Sequence, residues 1–481
     1  MSLFVKDRNF YKGVAAIAIP VSAQSMITIG VNMMDTVMVG TLGETSLSAT
    51  ALANQFVNLY QICCMGIGMG ASVLTSRFWG MRDLISLKRS VTLMLRLCIL
   101  LSLIFMLPTL LAPAALMRIY TEDVAVIGQG ALYYRWMVPC YLLQGLALTC
   151  TIVLRSVGQV KLPLVASVGA FFVNVFFNWI FIFGKLGAPR MEVEGAALGT
   201  LIARIFECGL ICGHFFFRDE KIRYRIRDLL MDCSALTREY VSVSLPVFVS
   251  DTLLALGNSA VAMVMGRIGT GFVSANSITV VTQQLSTVLI QGISHAGCIV
   301  TGHTLGRGER EKAQEQAWTF LMLGLIIGLF AGGLIWLISG PVISFYNITE
   351  ETEQIAQQLM DAIALIVVFQ AMNSIMTKGV LRGGGDTRFL MVADILFLWL
   401  VSIPLGAIAG LYLELPAFWI YLFLKLDQVI KAFWCIFRLR GGKWIKAVLA
   451  GDTALKGTAG LEKESCEQSM EKGGKYYENA I

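Results

Sequence analysis

From Trp318 to Tyr346 the chain reads "WTFLMLGLIIGLFAGGLIWLISGPVISFY", with no ionisable group before the terminal tyrosine. At a helical rise of about 1.5 Å per residue, the run outreaches the roughly 30 Å hydrocarbon core of a bilayer. No helix of a water-soluble domain needs such a stretch. The rest of the chain agrees: 56% of the 481 residues are hydrophobic and 15% are charged, against about 25% charged in an average soluble domain. The first apolar segment is too long for a cleaved signal peptide and ends in a polar helix face rather than a small-residue site, so it is expected to remain as a span.

Breaks at charge, Pro and Gly divide the sequence into twelve expected spans, beginning near residues 14, 47, 91, 131, 162, 195, 239, 276, 317, 358, 387 and 414. Lys and Arg fill alternate connections, among them Lys6, Arg8 and Lys12, then Arg82, Lys88 and Arg89, then Arg307, Arg310 and Lys312, and finally Arg438 to Lys446. The intervening loops hold few. The excess of basic residues on one side predicts a multi-pass cell-membrane protein with both termini cytoplasmic. Placing Pro20 on Pro246 also aligns, without a gap, Asn32 with Asn258, Gly40 with Gly266, Gly66 with Gly292 and Gly80 with Gly306. "LRSVGQ" from Leu154 meets "LRGGGD" from Leu381 at nearly the same offset. Two six-span halves that start on the same side are parallel repeats about an axis along the membrane normal. The expected organisation is an N-lobe over 1–216, a cytoplasmic linker over 217–238, a C-lobe over 239–437, and an interfacial segment with a disordered tail over 438–481. The fold class is all-α membrane protein, with the lobes set about a central cleft, V-shaped in the family that the motifs below resemble.

Asp35 sits inside the first span, where a charged side chain at mid-depth costs about 2.5–3.5 kcal/mol on insertion scales. It is not isolated: Gln24, Thr28, Asn32 and Asp35 form one polar stripe at helical spacing, so lipid is not what that face sees. Asn54, Asn58 and Gln61 repeat the pattern in the second span, and Asn174 and Asn178 lie one turn apart in the fifth. Together the three faces suit a hydrated pocket around Asp35. The bland alternative for the amides is interhelical glue, at about 0.6 kcal/mol per hydrogen bond. In the second half the acids move: Asp251 aligns with Ser25 and Asp394 with Ser167, and Asp251 shares a face with Asn258. Gln370, Asn373 and Thr377 form a stripe in span ten, and Gln284, Gln291 and His295 another in span eight. Arg204 and Glu207, one turn apart, are expected to pair and fix packing, as are Lys425, Asp427 and Lys431 in the last span.

Several motifs read as structure. "GIGMG" from Gly66 follows no strand and makes a small-residue surface for close helix contact rather than a dinucleotide loop. "RGGGDT" from Arg382 lacks the lysine of a phosphate loop, and its Asp386 is placed to cap the next helix. The eleven cysteines are scattered, without disulfide or zinc spacing. The basic stretch from Arg218 suits lipid headgroups better than nucleic acid. Trp444 is expected to anchor a short amphipathic segment at the interface.

"IPVSAQSMITIGVNMMDTVMVGTLG", "NVFFNWIFIFG", "GAALGT", "LRSVGQ" and "LRGGGDT", each in its place in the doubled pattern, resemble the multidrug and toxic compound extrusion (MATE) transporters over roughly residues 10 to 440. The resemblance implies a secondary transporter that expels organic, often cationic and aromatic compounds by ion antiport, without enzymatic activity or cofactor. It implies H+ or Na+ coupling at Asp35 with Asn174 and Asn178, and Asn32 shares that stripe. A sodium ion at Asp35 is the one metal site considered. Cargo contacts are then expected from Gln24, Thr28, Asn54, Asn58, Gln61, Asp251, Asn258, Gln284, Gln370, Asn373 and Asp394. Sodium-coupled members carry an Asp in span ten and a Glu in span seven, where this chain has Asn373 and Leu254, which favours protons. The expected partners are small organic molecules and membrane lipids, with no nucleic acid, and the chain is expected to act as a monomer. A lipid-linked oligosaccharide flippase of related shape would line its cavity with several Arg or Lys. A polytopic membrane enzyme would need a convergent cluster of His, Asp or Glu, and the three histidines lie on separate segments.

Overall fold

Acids and threonine mark where the apolar runs wind into helices. Asp7 accepts a hydrogen bond from the Asn9 amide, Asp83 from Ser86, Asp123 from Ala125 and Thr349 from Thr352, each satisfying an amide that the first helical turn leaves open. The computed structural model describes residues 4–446 apart from 345 and 347, and for Thr270 the backbone only. Most of the tail expected to be disordered, residues 447–481, lies outside the described residues.

The long helices are α1 (Arg8–Gly40), α2 (Glu44–Met81), α3 (Leu84–Leu111), α4 (Val124–Ser156), α5 (Lys161–Phe183) and α6 (Glu192–Gly213) in the first half, with a short helical turn, Pro113–Arg118, between α3 and α4. The second half holds α7 (Ser234–Ile268), α8 (Thr270–Gly306), α9 (Arg310–Ser344) and α10 (Glu350–Ser374), the last continuing to Leu381 as a wider π-helical turn. Then comes α11, one rod from Thr387 to Leu411. The last helix, α12, runs as Ala417–Leu424 and Leu426–Arg440, interrupted at Lys425. Eleven are long and apolar enough to cross a membrane. Only α12, broken and carrying Lys425, Asp427 and Lys431, falls short of that measure. Most helices start a turn or more before the expected positions, because the regular backbone continues past the apolar run into the polar margin. The linker is correspondingly shorter than 217–238. It folds as a short 3-10 turn, Ile226–Leu230, with Asp228 on Lys88 at 2.8 Å.

Gly43, at φ +109°, turns the chain from α1 into α2 in a conformation that favours glycine. The two halves then meet across a pseudo-twofold axis that the sequence repeat fixes. Gly66 of α2 lies against Phe248 of α7, and its repeat counterpart Gly292 of α8 lies against Ser22 of α1, the counterpart of Phe248. Gly80 and Gly306 meet on the axis itself: a Cβ on Gly80 would come within 2.5 Å of the His303 carbonyl. The "GIGMG" glycines are thus part of the lobe interface.

These contacts occupy the ends of α2 and α8 that carry the basic loops. Toward the other ends the helices diverge, and a Cβ on Gly40, Gly43 or Gly266 would meet nothing within 4 Å. Asn32, Met33, Asn58, Asn258, Met263 and Gln284 are exposed in these halves of their helices, as expected where two lobes part around a V-shaped cavity. The basic end is closed. Arg77 of α2 donates to the carbonyls of Gly384 and Lys446, both at 2.6 Å, and His303 of α8 bonds the Ser156 carbonyl at 2.6 Å.

Two expectations are corrected here. Trp444 does not anchor in headgroups: it is fully buried, donates to Gln314 at 2.7 Å and packs on Gly384. The protein interior offered its indole N–H a better partner than the lipid boundary. Asp386 does not cap α11 with its side chain, because Arg438 holds the carboxylate at 2.7 Å.

Candidate functional site

In the N-lobe, α1 brings Asp35 against the buried amides of α5. The Asn178 side chain donates to Asp35 Oδ1 at 2.6 Å and also reaches Asn174 Oδ1 at 3.2 Å. Asn174 in turn donates to Thr200 of α6 at 3.4 Å. Gly199 in "GAALGT" is what lets α6 close on this group, since a Cβ there would collide with the Asn178 side chain and backbone. Asp35 itself is half-buried and has no cation at ion-pair distance among the described residues. The neighbouring cation, Arg204, is bound to Glu207 at 2.8 Å. A carboxylate held by neutral donors, next to an open hollow, can gain or lose a proton without breaking a salt bridge.

A polar column continues below it. Glu207 accepts from Ser167 at 3.1 Å, Ser167 accepts from the Gln24 amide at 2.8 Å, and the Gln24 carbonyl oxygen accepts from Arg155. Above, Tyr133 donates to Asn54 at 3.2 Å. The stripe of α1 therefore faces two sets of partners: Asp35 meets the amides of α5, while Gln24 meets serine and arginine near the closed end. Thr28 and Asn32 are exposed between them, as is Asn58 of α2, and Gln61 is half-buried.

The C-lobe is wired differently. Asp251 is held by Arg382 at 2.9 Å, and Lys431 bridges Asp394 at 2.8 Å and Asp427 at 3.1 Å. Ser250 donates to the other Asp394 oxygen, and the Asp427 amide donates to Ser402 at 2.6 Å. Asn373 donates to Gln428 at 2.8 Å, which donates to Asp427 at 2.7 Å, and Gln370 accepts from Gln283 at 2.6 Å. So Asp251, Asp394 and Asn373 belong to closed internal networks, whereas Asn258 and Gln284 face the opening. The spacing of apolar and polar residues gave no sign of Thr200, Tyr133, Ser167, Gln283 or Gln428 as partners. Lone polar residues on otherwise apolar faces were the available signal.

Two six-helix lobes, a cleft between them open at one end, and charged groups buried in each lobe define a polytopic membrane protein of the two-lobed transporter class. The chain belongs to the MatE family, which it matches over residues 20–180 and again over 246–408. The second match begins at Pro246, the residue that the repeat places on Pro20. Relatives include a probable multidrug resistance protein NorM from Thermotoga maritima, 23% identical over 441 residues, or 90% of this chain and 93% of that one. The multidrug resistance protein MdtK of Yersinia pseudotuberculosis is 25% identical over 83% of this chain and 88% of its own. Among solved structures, an outward-facing multidrug resistance MATE transporter superposes with TM-score 0.81 at 20% identity, covering 92% of this chain and 99% of that one. A MOP superfamily transporter from Pyrococcus furiosus gives 0.80 at 20% identity over 90% and 96%.

Proposed function

We propose that the protein exports organic compounds, often cationic and aromatic, by antiport with protons, and that Asp35 is the group that takes up and releases the coupling ion. The observation that carries this reading is the environment of Asp35, a half-buried carboxylate bonded to Asn178 at 2.6 Å with no ion-pair partner among the described residues. The relatives named as multidrug resistance proteins support the cargo class.

With the basic loops cytoplasmic, the cleft faces outward. Asp35, charged, takes a proton from outside. The polar face of α1 loses its negative centre, α1 relaxes or bends near Pro20, and cargo leaves. Closing the outer end requires the inner end to part, at the cost of the Arg77 and His303 contacts. The proton then leaves to the cytoplasm and cargo enters. One charge moved through 100 mV makes about 2.3 kcal/mol available, enough for about fifty-fold accumulation, since about 1.4 kcal/mol is tenfold. Met26, Met33 and Met34 are exposed on α1, and flexible apolar side chains of this kind suit cargo of varied shape. Asn32, Thr28, Asn58, Asn258 and Gln284 supply hydrogen bonds along it.

Dye efflux from vesicles under an imposed proton gradient, and then an imposed sodium gradient, tests the coupling. Efflux that follows sodium and ignores protons rejects the proton assignment. The flippase reading is weaker, because most intramembrane cations here are neutralised: Arg204 by Glu207, Arg382 by Asp251 and Lys431 by two aspartates.

A further inference from the structure

Unlike Arg204, Arg382 and Lys431, one lysine of the C-lobe has no acid to neutralise it among the described residues. Lys425 lies mid-way through the last span, at the break between the two segments of α12. No carboxylate stands at ion-pair distance from it among the described residues, and the acids nearby are committed, Asp427 and Asp394 to Lys431 and Asp251 to Arg382. Its ammonium instead donates weakly to Asn258 Oδ1 at 3.4 Å.

Asn258 tells where that ammonium points. It lies two turns from Asp251 on one face of α7, and this face looks into the C-lobe, toward Arg382 of α10 and Lys425 of α12. Asn258 is nonetheless exposed, so this end of the face is not sealed in a packed core. The repeat makes Asn258 the counterpart of Asn32, one turn from Asp35, so the two lobes present corresponding hollows of opposite charge. Among the described residues, Asp35 in one has no cation at ion-pair distance and Lys425 in the other has no acid. An intramembrane ionisable group is expensive unless a partner, permanent or transient, offsets it.

We infer that Lys425, with Asn258 beside it, receives an anionic group of the cargo, so that the preferred substrates are aromatic amphiphiles carrying a carboxylate or sulfonate, including zwitterions, rather than simple cations. The inference rests on the export reading only in calling the bound anion cargo. An ammonium on the C-lobe wall repels a cargo whose sole charge is positive and binds one whose anion reaches it. A zwitterion satisfies both hollows, its amine facing the N-lobe and its anion facing Lys425.

The test compares rhodamine B, which bears a free carboxylate, with its ethyl ester, which has the same ring system and no anion. Binding to purified full-length protein is read by fluorescence anisotropy at neutral pH. The native protein should bind the acid more tightly than the ester, by about tenfold for one charge-assisted contact. The ratio should fall to near one in Lys425→Met and in Lys425→Gln, and stay high in Lys425→Arg. Equal affinities in the native protein, or an unchanged ratio in both neutral variants, overturn the inference. Transport in vesicles separates the two readings. Export of the ester with no preference for the acid leaves efflux standing and removes the anion site. A Lys425-dependent preference without transport of either dye keeps the site and removes the efflux reading.

Discussion

Replacing Arg77 by methionine should release the closed end of the cleft. The Arg77 guanidinium, 3% exposed, crosses from α2 of the N-lobe to two carbonyls of the C-lobe, Gly384 and Lys446, each at 2.6 Å. Hydrogen bonds from a charged donor contribute about 1.5–3 kcal/mol each, and two on one side chain share their ordering cost, so about 3 kcal/mol is a working figure for the pair. Methionine retains most of the apolar packing and neither donor. These contacts exist only while the basic ends of the lobes touch, so their loss penalises that state alone. About 3 kcal/mol is on the order of a hundredfold in the ratio of the two states, enough to bring a 99:1 population to near parity. Spin labels at Ile85→Cys and Arg307→Cys, both exposed at the basic end, report the separation. Most described native cysteines are buried, which favours selective labelling. The native protein should give one short distance by double electron–electron resonance, and Arg77→Met a second, longer population of comparable size. An unchanged distribution would refute the latch.

Lys431→Met leaves Asp394 and Asp427 buried without their shared cation, and breaking a buried pair from one side costs about 3–5 kcal/mol. The melting temperature in detergent should drop sharply and recover in part when both aspartates are also made asparagine; an unaltered melt contradicts the network. On the linker, burial raises the Asp228 carboxyl, but the Lys88 ammonium and the Arg225 amide outweigh it and hold it below the usual carboxylate range. Its contribution is thus present above the unfolded value of about 3.9 and is lost as pH falls through the lower folded value. Pepsin cleavage near Leu229 should therefore be slow at pH 4.5 and rise toward pH 2 beyond the enzyme's own profile, while Asp228→Asn is cut readily throughout. A variant indistinguishable from the native protein contradicts the pinning.

Helical periodicity and the repeat carried the architecture, because a bilayer forces backbone hydrogen bonds within each span and leaves length and polarity as the signals. The aligned glycines Gly66 and Gly292, and Gly80 and Gly306, all lie at contacts between the two halves. Pairings across helices were less legible. Nothing local links Asp394 to Lys431, or Asp251 to Arg382, 131 residues further along the chain. The stripes marked which faces were polar without telling a closed network from an open hollow, so Asp251, Asn373 and Asn258 looked alike. The break at Lys425 carries no Pro or Gly to announce it. Trp444 misled because an amphipathic segment has the same composition at a lipid boundary and against a protein groove.

Asp35→Asn tests the central claim most directly. The asparagine keeps the size and the contact with Asn178 but cannot exchange a proton. Cells expressing the variant, at native levels and with a native melting temperature, should accumulate a dye that the native protein exports, such as rhodamine B, like cells lacking the transporter. Efflux at the native rate from that variant would contradict the account.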